Sequence, residues 1–400
     1  MEKADKIFEG IHYATGRPIR LGVSKGIIVS VDDSGPESIS GIPGGSDMPS
    51  GFHEEFSENL PVIAPGMIDL QVNGFMGVDF NDPGLTADQV EQASLSLLRS
   101  GVTGYHPTVI TGPPERTGRL LQVISEAVHK GNLASRILNG IHVEGPFISR
   151  EDGPRGAHPA EFCMDPDIEL VKRWQKMAGG LIRILTLAPE LPGSEALIRT
   201  CLEMGIVVGI GHTKANTDQI RRAADAGATL STHLGNGSHA VLPRHPNYIW
   251  DQLAEDRLYA SMIADGFHLP DEVLKVFIRA KGEKAILVSD CMTYSGMPPG
   301  VYESPSTGKV RLTTGGKLHR EGEPGTLAGS ASMLIQGVRR IARIQGLAFA
   351  WDMASVHPSR LMNDAAGEGL QEGAPADLVL LGRGDPDPEI LGVFKGGESV

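Results

Sequence analysis

The stretch ILNGIHVEGPF, residues 137–147, runs a short apolar segment rich in β-branched residues into two ionisable groups, His142 and Glu144. Side chains alternate along a strand, so His142 and Glu144 share one face while Ile141 and Val143 take the other. The same pattern, an apolar run ending in an unusual polar residue, recurs on both sides of it. Eight runs read as strands: Met67 to Val72, Val102 to Ile110, Ile137 to Val143, Ile182 to Leu187, Ile206 to Ile210, Ala228 to Thr232, Leu258 to Ala264 and Ile286 to Val288. Helical periodicity follows most of them, clearest over Thr86 to Arg99, Glu115 to His129, Asp165 to Met177, Asn216 to Ala226, Pro270 to Ala280 and Ser330 to Gln345. Alternating strands and helices mean an α/β fold, and eight parallel strands with crossover helices close a (β/α)8 TIM-type barrel. A doubly wound open sheet is the alternative, but no G-x-G-x-x-G follows the first strand to support it.

Strand-like segments also lie near both ends, at Ile19 to Val23, Gly26 to Val31, Ala376 to Leu381 and Ile390 to Phe394. They predict a small β-sandwich domain built from both termini, residues 1–64 and 372–400, around a barrel over residues 65–371. Between them, residues 33–58 read as a long irregular loop. Thirty-six Lys and Arg against 49 Asp and Glu give a net charge of −13 at pH 7, the wrong sign for a surface that gathers nucleic acid. An anionic ligand must therefore meet a local cationic pocket. No run approaches the roughly 18 apolar residues of a membrane helix, and the opening MEKADKIFEG lacks the order of a secretory signal. No membrane partner and a cytoplasmic location are the expectation. Cys163, Cys201 and Cys291 are an odd, widely spaced set with no C-x-x-C pair, which excludes a disulfide framework and a cysteine zinc finger.

Catalytic groups of such barrels gather at the C-terminal ends of the strands. There the sequence places Asp69, Gln71 and Asn73, then His142 and Glu144, then His212, His233 and Asp290. Glu144, His212 and His233 make a two-His, one-carboxylate set that suits one Zn2+ with an open position, with Fe2+ also compatible. A lone histidine at a strand end is more often a hydrogen-bonded structural residue; equivalent positions on separate strands favour a site. Asp290 fits a general base that takes a proton from an attacking water and passes it to a leaving group, and also fits a cap on Cys-Met-Thr-Tyr. His158 and His268, in loops above the barrel mouth, read equally as substrate contacts and as bystanders. Residues 234–250, with two Gly, Asn236, His239, Arg244 and His245, form a loop that could receive a phosphate or serve as an ordinary connection.

Taken in order, APGMIDLQVNG, GVTGYHPTVIT, HVEGPF with GAHP, TLAPE, GHTKA, THLGNG, IADGFH, SDCM and GTLAGSASM resemble the amidohydrolase superfamily over nearly the whole chain. Within it they are similar to the N-acetylglucosamine-6-phosphate deacetylase family. The resemblance implies a barrel with a β-sandwich from both ends, a homodimer, and hydrolysis of the acetamide of an amino-sugar 6-phosphate. It implies Glu144, His212 and His233 as metal ligands, Asp290 as acid/base and His158 near the carbonyl or sugar hydroxyls. Asn236, the backbone of Gly237, Arg244 and His268 would hold the phosphate end, and Leu327 would line the sugar pocket. Two departures stand out. Gln71-Val72-Asn73 replaces the His-x-His of most amidohydrolases, so one metal is expected. The sixth-strand loop carries Asn236-Gly237-Ser238 and Arg244-His245-Pro246-Asn247 where the family has Asn-Ala-Met and Arg-Glu-Pro-Gly. Rival readings are a cyclic amidase of the dihydroorotase type, a deacetylase of an unphosphorylated substrate, and a barrel that binds a sugar without turnover.

Overall fold

A computed structural model describes residues 4–33, 60–304, 308–364, 369–384 and 386–400. The irregular stretch expected over residues 33–58 lies, apart from its first residue, outside the described residues. Eight parallel strands form one sheet in chain order: β1 (Met67–Val72), β2 (Val102–Ile110), β3 (Ile141–Glu144), β4 (Ile182–Leu187), β5 (Val207–Ile210), β6 (Leu230–Ser231), β7 (Tyr259–Ile263) and β8 (Ala285–Val288). The sheet returns on itself through a parallel bridge between Val72 and Cys291, and the Asn73 N–H donates to the Cys291 carbonyl at 2.9 Å. The third strand is shorter than the sequence implies. Ile137 ends a helical turn, Ala134–Ile137, and the strand begins only at Ile141.

Each strand is followed by a helix: α1 (Ala87–Arg99), α2 (Pro114–His129), α3 (Ile168–Met177), α4 (Ser194–Glu203), α5 (Thr217–Ala226), α6 (Tyr248–Ala254), α7 (Asp271–Lys281) and α8 (Leu334–Gln345). Their starts are written in the sequence. Thr86 with Gln89 and Asn216 with Gln219 make reciprocal caps that satisfy otherwise unpaired N–H groups of α1 and α5. Asn247 caps α6, so the loop read over residues 234–250 gives way to helix at Tyr248. The barrel is packed on both faces of its strands. Leu185 and Leu187 of β4 point out to the helices, while Ile184 joins Ile68, Leu70, Leu230, Ile263, Ile286 and Val288 in the interior.

The terminal strands form a separate seven-stranded sheet: Glu398–Ser399, Ile390–Lys395, Leu378–Leu381, Val62–Pro65, Lys6–His12, Pro18–Ser24 and Ile27–Asp32, in that spatial order. Phe8 and Phe394 meet edge to face at 4.9 Å, although two strands separate theirs in the sheet. The sheet therefore curls over and packs against itself, as a small sandwich does. Its bond to the barrel includes the fully buried Trp351, whose indole N–H donates to the Pro65 carbonyl at 2.8 Å. Between β8 and α8 the chain inserts a four-stranded antiparallel sheet, Gly300–Ser304, Gly308–Leu312, Leu318–Arg320 and Glu323–Leu327, around Tyr294, Val310, Leu312 and Leu318.

Candidate active site

Three strand ends converge at the C-terminal mouth of the barrel. Glu144 closes β3, His212 follows β5 and His233 follows β6, and all three are buried. One ligand atom from each lies within 4.8 Å of the others. Glu144 Oε1 is 2.8 Å from His233 Nε2 and 3.2 Å from His212 Nε2, and the two Nε2 atoms are 3.1 Å apart. The tautomer of His212 is fixed from behind, because its Nδ1 lies 2.9 Å from the Pro154 carbonyl and must donate to it. A neutral His212 therefore turns a bare Nε2 lone pair toward Glu144, His233 and His158. Lone pairs that face one another in a buried site are satisfied by a cation, and a carboxylate with two imidazoles fits a divalent metal ion.

The electrostatics agree with this. Burial alone would raise the Glu144 carboxyl, yet the two imidazoles beside it, His212 and His233, hold it well below its usual range. Burial alone would lower the His233 imidazole, and Glu144 instead holds it above its ordinary value. The cluster is therefore built around a negative group that demands positive charge nearby. Asp290, two residues beyond β8, is pushed up to about 6 by burial and the charge of Glu144, against the pull of His233 and a 2.7 Å hydrogen bond from Asn73 Nδ2. His158 has its Nε2 at 3.2 Å from His212 Nε2, and its Nδ1 is buried without a partner among the described residues. Burial and the neighbouring His212 push it down to about 3, so it is a neutral imidazole throughout the physiological range.

Backbone conformation sets these side chains. His212 (φ +51°), His233 (φ +32°) and Asp290 (φ +47°) all lie in the left-handed region, which turns each side chain off its strand toward the barrel axis. Two glycines leave room for the His212 ring. A Cβ on Gly237 would stand 2.6 Å from its Nδ1, and one on Gly156 would stand 3.2 Å from its Cε1.

The remaining expected residues sort themselves by distance from this cluster. Asn236 turns its amide back to the His233 carbonyl at 3.1 Å, and Gly237 lies against His212. His268 donates from Nδ1 to Asp265 at 2.7 Å and lies near enough to Asp290 to influence it. Leu327 ends the inserted antiparallel sheet. Arg244 is exposed on the loop before α6 and makes no ion pair among the described residues. His142, on the same face as Glu144, is held inside the barrel by the Leu70 carbonyl at 3.1 Å and by Thr186 Oγ1 at 2.8 Å. His239 ties two loops together, bonding Tyr248 OH at 2.9 Å through Nδ1 and Glu151 at 3.1 Å through Nε2. Sequence reasoning missed three supports: Pro154 behind His212, Gln71 donating to Glu144 at 3.0 Å, and Asn73 donating to Asp290. Gln71 and Asn73 were visible as polar residues at the end of the first strand and as absent histidines, but not as partners of Glu144 and Asp290.

The sequence profile described as the Amidohydrolase family matches residues 62–400. The chain belongs to the amidohydrolase family. This amidohydrolase is 35% identical over 331 residues to the N-acetylglucosamine-6-phosphate deacetylase of Bacillus subtilis (strain 168), across 80% of each chain. It is 30% identical over 332 residues to the N-acetylgalactosamine-6-phosphate deacetylase of Escherichia coli O157:H7, across 81% of this chain and 84% of that one. Among solved structures, an aspartate-to-alanine variant of N-acetyl-D-glucosamine-6-phosphate deacetylase from Mycobacterium smegmatis, in complex with N-acetyl-D-glucosamine 6-phosphate, aligns with TM-score 0.83 at 28% identity over 99% of both chains.

Proposed function

We propose that this amidohydrolase removes the acetyl group of an N-acetylated amino-sugar 6-phosphate, with N-acetylglucosamine 6-phosphate the first substrate to test. The observation that carries the reading is the convergence of Glu144, His212 and His233 on one point beside Asp290, in a chain whose relatives are deacetylases of this kind. One divalent ion, zinc by the chemistry of the donor set, would be held by those three residues; it would polarise the acetamide carbonyl and acidify the attacking water. Asp290 accepts the water's proton as oxygen attacks the carbonyl carbon. It then returns that proton to nitrogen as the C–N bond breaks, leaving acetate and the free amine. A carboxyl raised to about 6 is ionised at neutral pH and still basic enough for this exchange. His158, neutral and with a free ring nitrogen, is placed to hydrogen-bond the carbonyl or a sugar hydroxyl.

Asn236, the Gly237 backbone, His268 and Arg244 are assigned to the phosphate end and Leu327 to the sugar pocket. The residue types support this, as does the place of Asn236 and Gly237 beside the metal ligands. The exposed Arg244 favours one second reading, an unphosphorylated N-acetyl sugar. The resemblance further supports a homodimer, and a cytoplasmic location is part of the same proposal. No helix among the described residues is long and apolar enough to cross a membrane. We assign residues 1–64 and 372–400 to a supporting β domain and residues 65–371 to the catalytic barrel.

Acetate release from N-acetylglucosamine 6-phosphate, its galacto epimer and the two unphosphorylated sugars, run beside elemental analysis and size-exclusion chromatography, tests the whole reading. Turnover of the 6-phosphates with about one metal ion per chain is the expected result. Equal turnover with and without phosphate would move the substrate to the second reading. No turnover on any of the four, with metal bound, would refute deacetylation of these sugars.

A further inference from the structure

We propose that Asn73 is a positioning residue for the general base, its side-chain amide holding the Asp290 carboxylate and backbone in the orientation the reaction needs. The inference rests on the role given to Asp290 above. Asn73 lies one residue past β1 and Asp290 two past β8, so the pair sits at the seam where the first and last strands close the barrel. Asn73 Nδ2 is 2.7 Å from Asp290 Oδ1 and 3.4 Å from the Asp290 carbonyl oxygen. Both contacts fall on a residue whose φ of +47° lies in the left-handed region, so the pair fixes the backbone turn as well as the carboxylate.

The amide can face only one way. Turned over, Asn73 would set its own oxygen 2.7 Å from a carboxylate oxygen, acceptor against acceptor. The observed orientation leaves Asn73 Oδ1 buried with no partner among the described residues, a cost that a purely structural asparagine avoids by using both ends. Nor does the seam need this side chain. The backbone N–H groups of Asn73 and Gly74 already donate to the Cys291 carbonyl at 2.9 and 3.1 Å, and those of Met76 and Gly77 reach Ser295 and Thr293 at 3.0 and 2.7 Å. What remains for the amide is Asp290. The groups facing that carboxylate from other elements are Glu144 on β3, His233 after β6 and His268 after β7, with Asp69 on β1 close enough to interact. Two of these four are carboxylates, so a neutral donor aimed at Asp290 offsets repulsion without adding a charge that would silence the base.

The test uses metal-loaded enzyme with the best deacetylation substrate and compares native protein, Asn73→Ala, Asn73→Asp and Asp290→Asn. For Asn73→Ala we expect kcat to fall about 10- to 100-fold while KM and metal content stay within about twofold, and the acid limb of kcat/KM to move up by about one pH unit. Asn73→Asp keeps the shape but replaces the donor with a third acid, so it should be slower still. A structural role predicts the reverse order, with the isosteric variant the milder, and that order would overturn the proposal. So would a native kcat and acid limb in Asn73→Ala while Asp290→Asn is inactive. If Asp290→Asn itself turns over, the assignment of the base fails, and this inference with it. Thermal melts of each variant identify any that fails to fold; should Asn73→Ala do so, the isosteric Asn73→Asp carries the comparison.

Discussion

Gly237→Ala is the sharpest available perturbation of the proposed metal site that leaves Glu144, His212 and His233 in place. The added Cβ would stand 2.6 Å from His212 Nδ1 and 2.8 Å from Cε1, where ordinary contact begins at 3.4 Å, so the ring or the loop must retreat by about 0.8 Å. His212 cannot swing freely, because its Nδ1 is bonded to Pro154 and its Nε2 faces Glu144. The alanine must also take φ of +53°, which costs about 1 to 2 kcal/mol, and overpacking adds about 1 to 3 kcal/mol. A shift of that size against a metal–nitrogen bond of about 2.0 to 2.1 Å misdirects one of three ligands. Metal affinity should fall about 10- to 100-fold, the range seen when a ligand's orientation is lost. Competition for Zn2+ against a chromophoric chelator measures this directly. Gly131→Ala is the control, since Gly131 has φ of +72° with nothing within 4 Å of the added Cβ and so carries the backbone cost alone. Native affinity in Gly237→Ala, or an equal loss in Gly131→Ala, would refute the argument that this glycine exists to make room for His212.

Asp290→Asn should keep its metal and lose at least about 100-fold in kcat, since the amide fills the same space but accepts no proton; a near-native rate would hand the role to His158. Arg244→Ala should lower kcat/KM for the 6-phosphates by about 2 to 4 kcal/mol and leave unphosphorylated sugars unchanged, as competition kinetics on matched pairs would show. Burial raises Asp69, on β1 and bonded to the Ser289 N–H just past β8, to about 7. A folded-state value above the unfolded one means this aspartate favours the fold when protonated and weakens it progressively as pH rises from about 4 to about 7, by about 4 kcal/mol in all. Asp69→Asn, which retains an acceptor for the Gln71 and Ser289 N–H groups, should therefore raise Tm at pH 8 relative to native protein, by progressively less as pH falls below 7, and lose the advantage below about pH 4.

The barrel was legible because its strands are buried on both faces and so appear as short segments dominated by apolar and β-branched residues, of which β1, β2 and β4 match residue for residue. Helices announced themselves where a cap precedes an apolar stripe, as Thr86 and Asn216 do. The inserted sheet escaped notice because it is exposed: Lys309 and Arg311 interrupt Val310 and Leu312, and its last strand is almost bare of apolar residues. The helix Ser194–Glu203 buries few large side chains, chiefly Leu197 and Ile198, and β6 holds only two residues. At the site, residue types at strand ends pointed to Glu144, His212, His233 and Asp290. Their supports did not show, because nothing local in a sequence pairs Asn73 with a residue 217 positions away or Gln71 with one 73 away. Glycine was the one clue, in GAHP and LGNG, and its meaning depended on which ring it would lie against.

The three left-handed strand ends set selection for stability against selection for turnover. At His212, His233 and Asp290 a glycine would adopt the observed backbone without the strain, up to about 1 to 2 kcal/mol, that a Cβ brings there. A library sorted only for heat tolerance would drift toward glycine there and return sturdy, silent barrels. A lineage released from its substrate would follow the same slope, shedding these positions before any of the apolar core. Their retention in a sequenced homologue would then report that the chemistry is still in use.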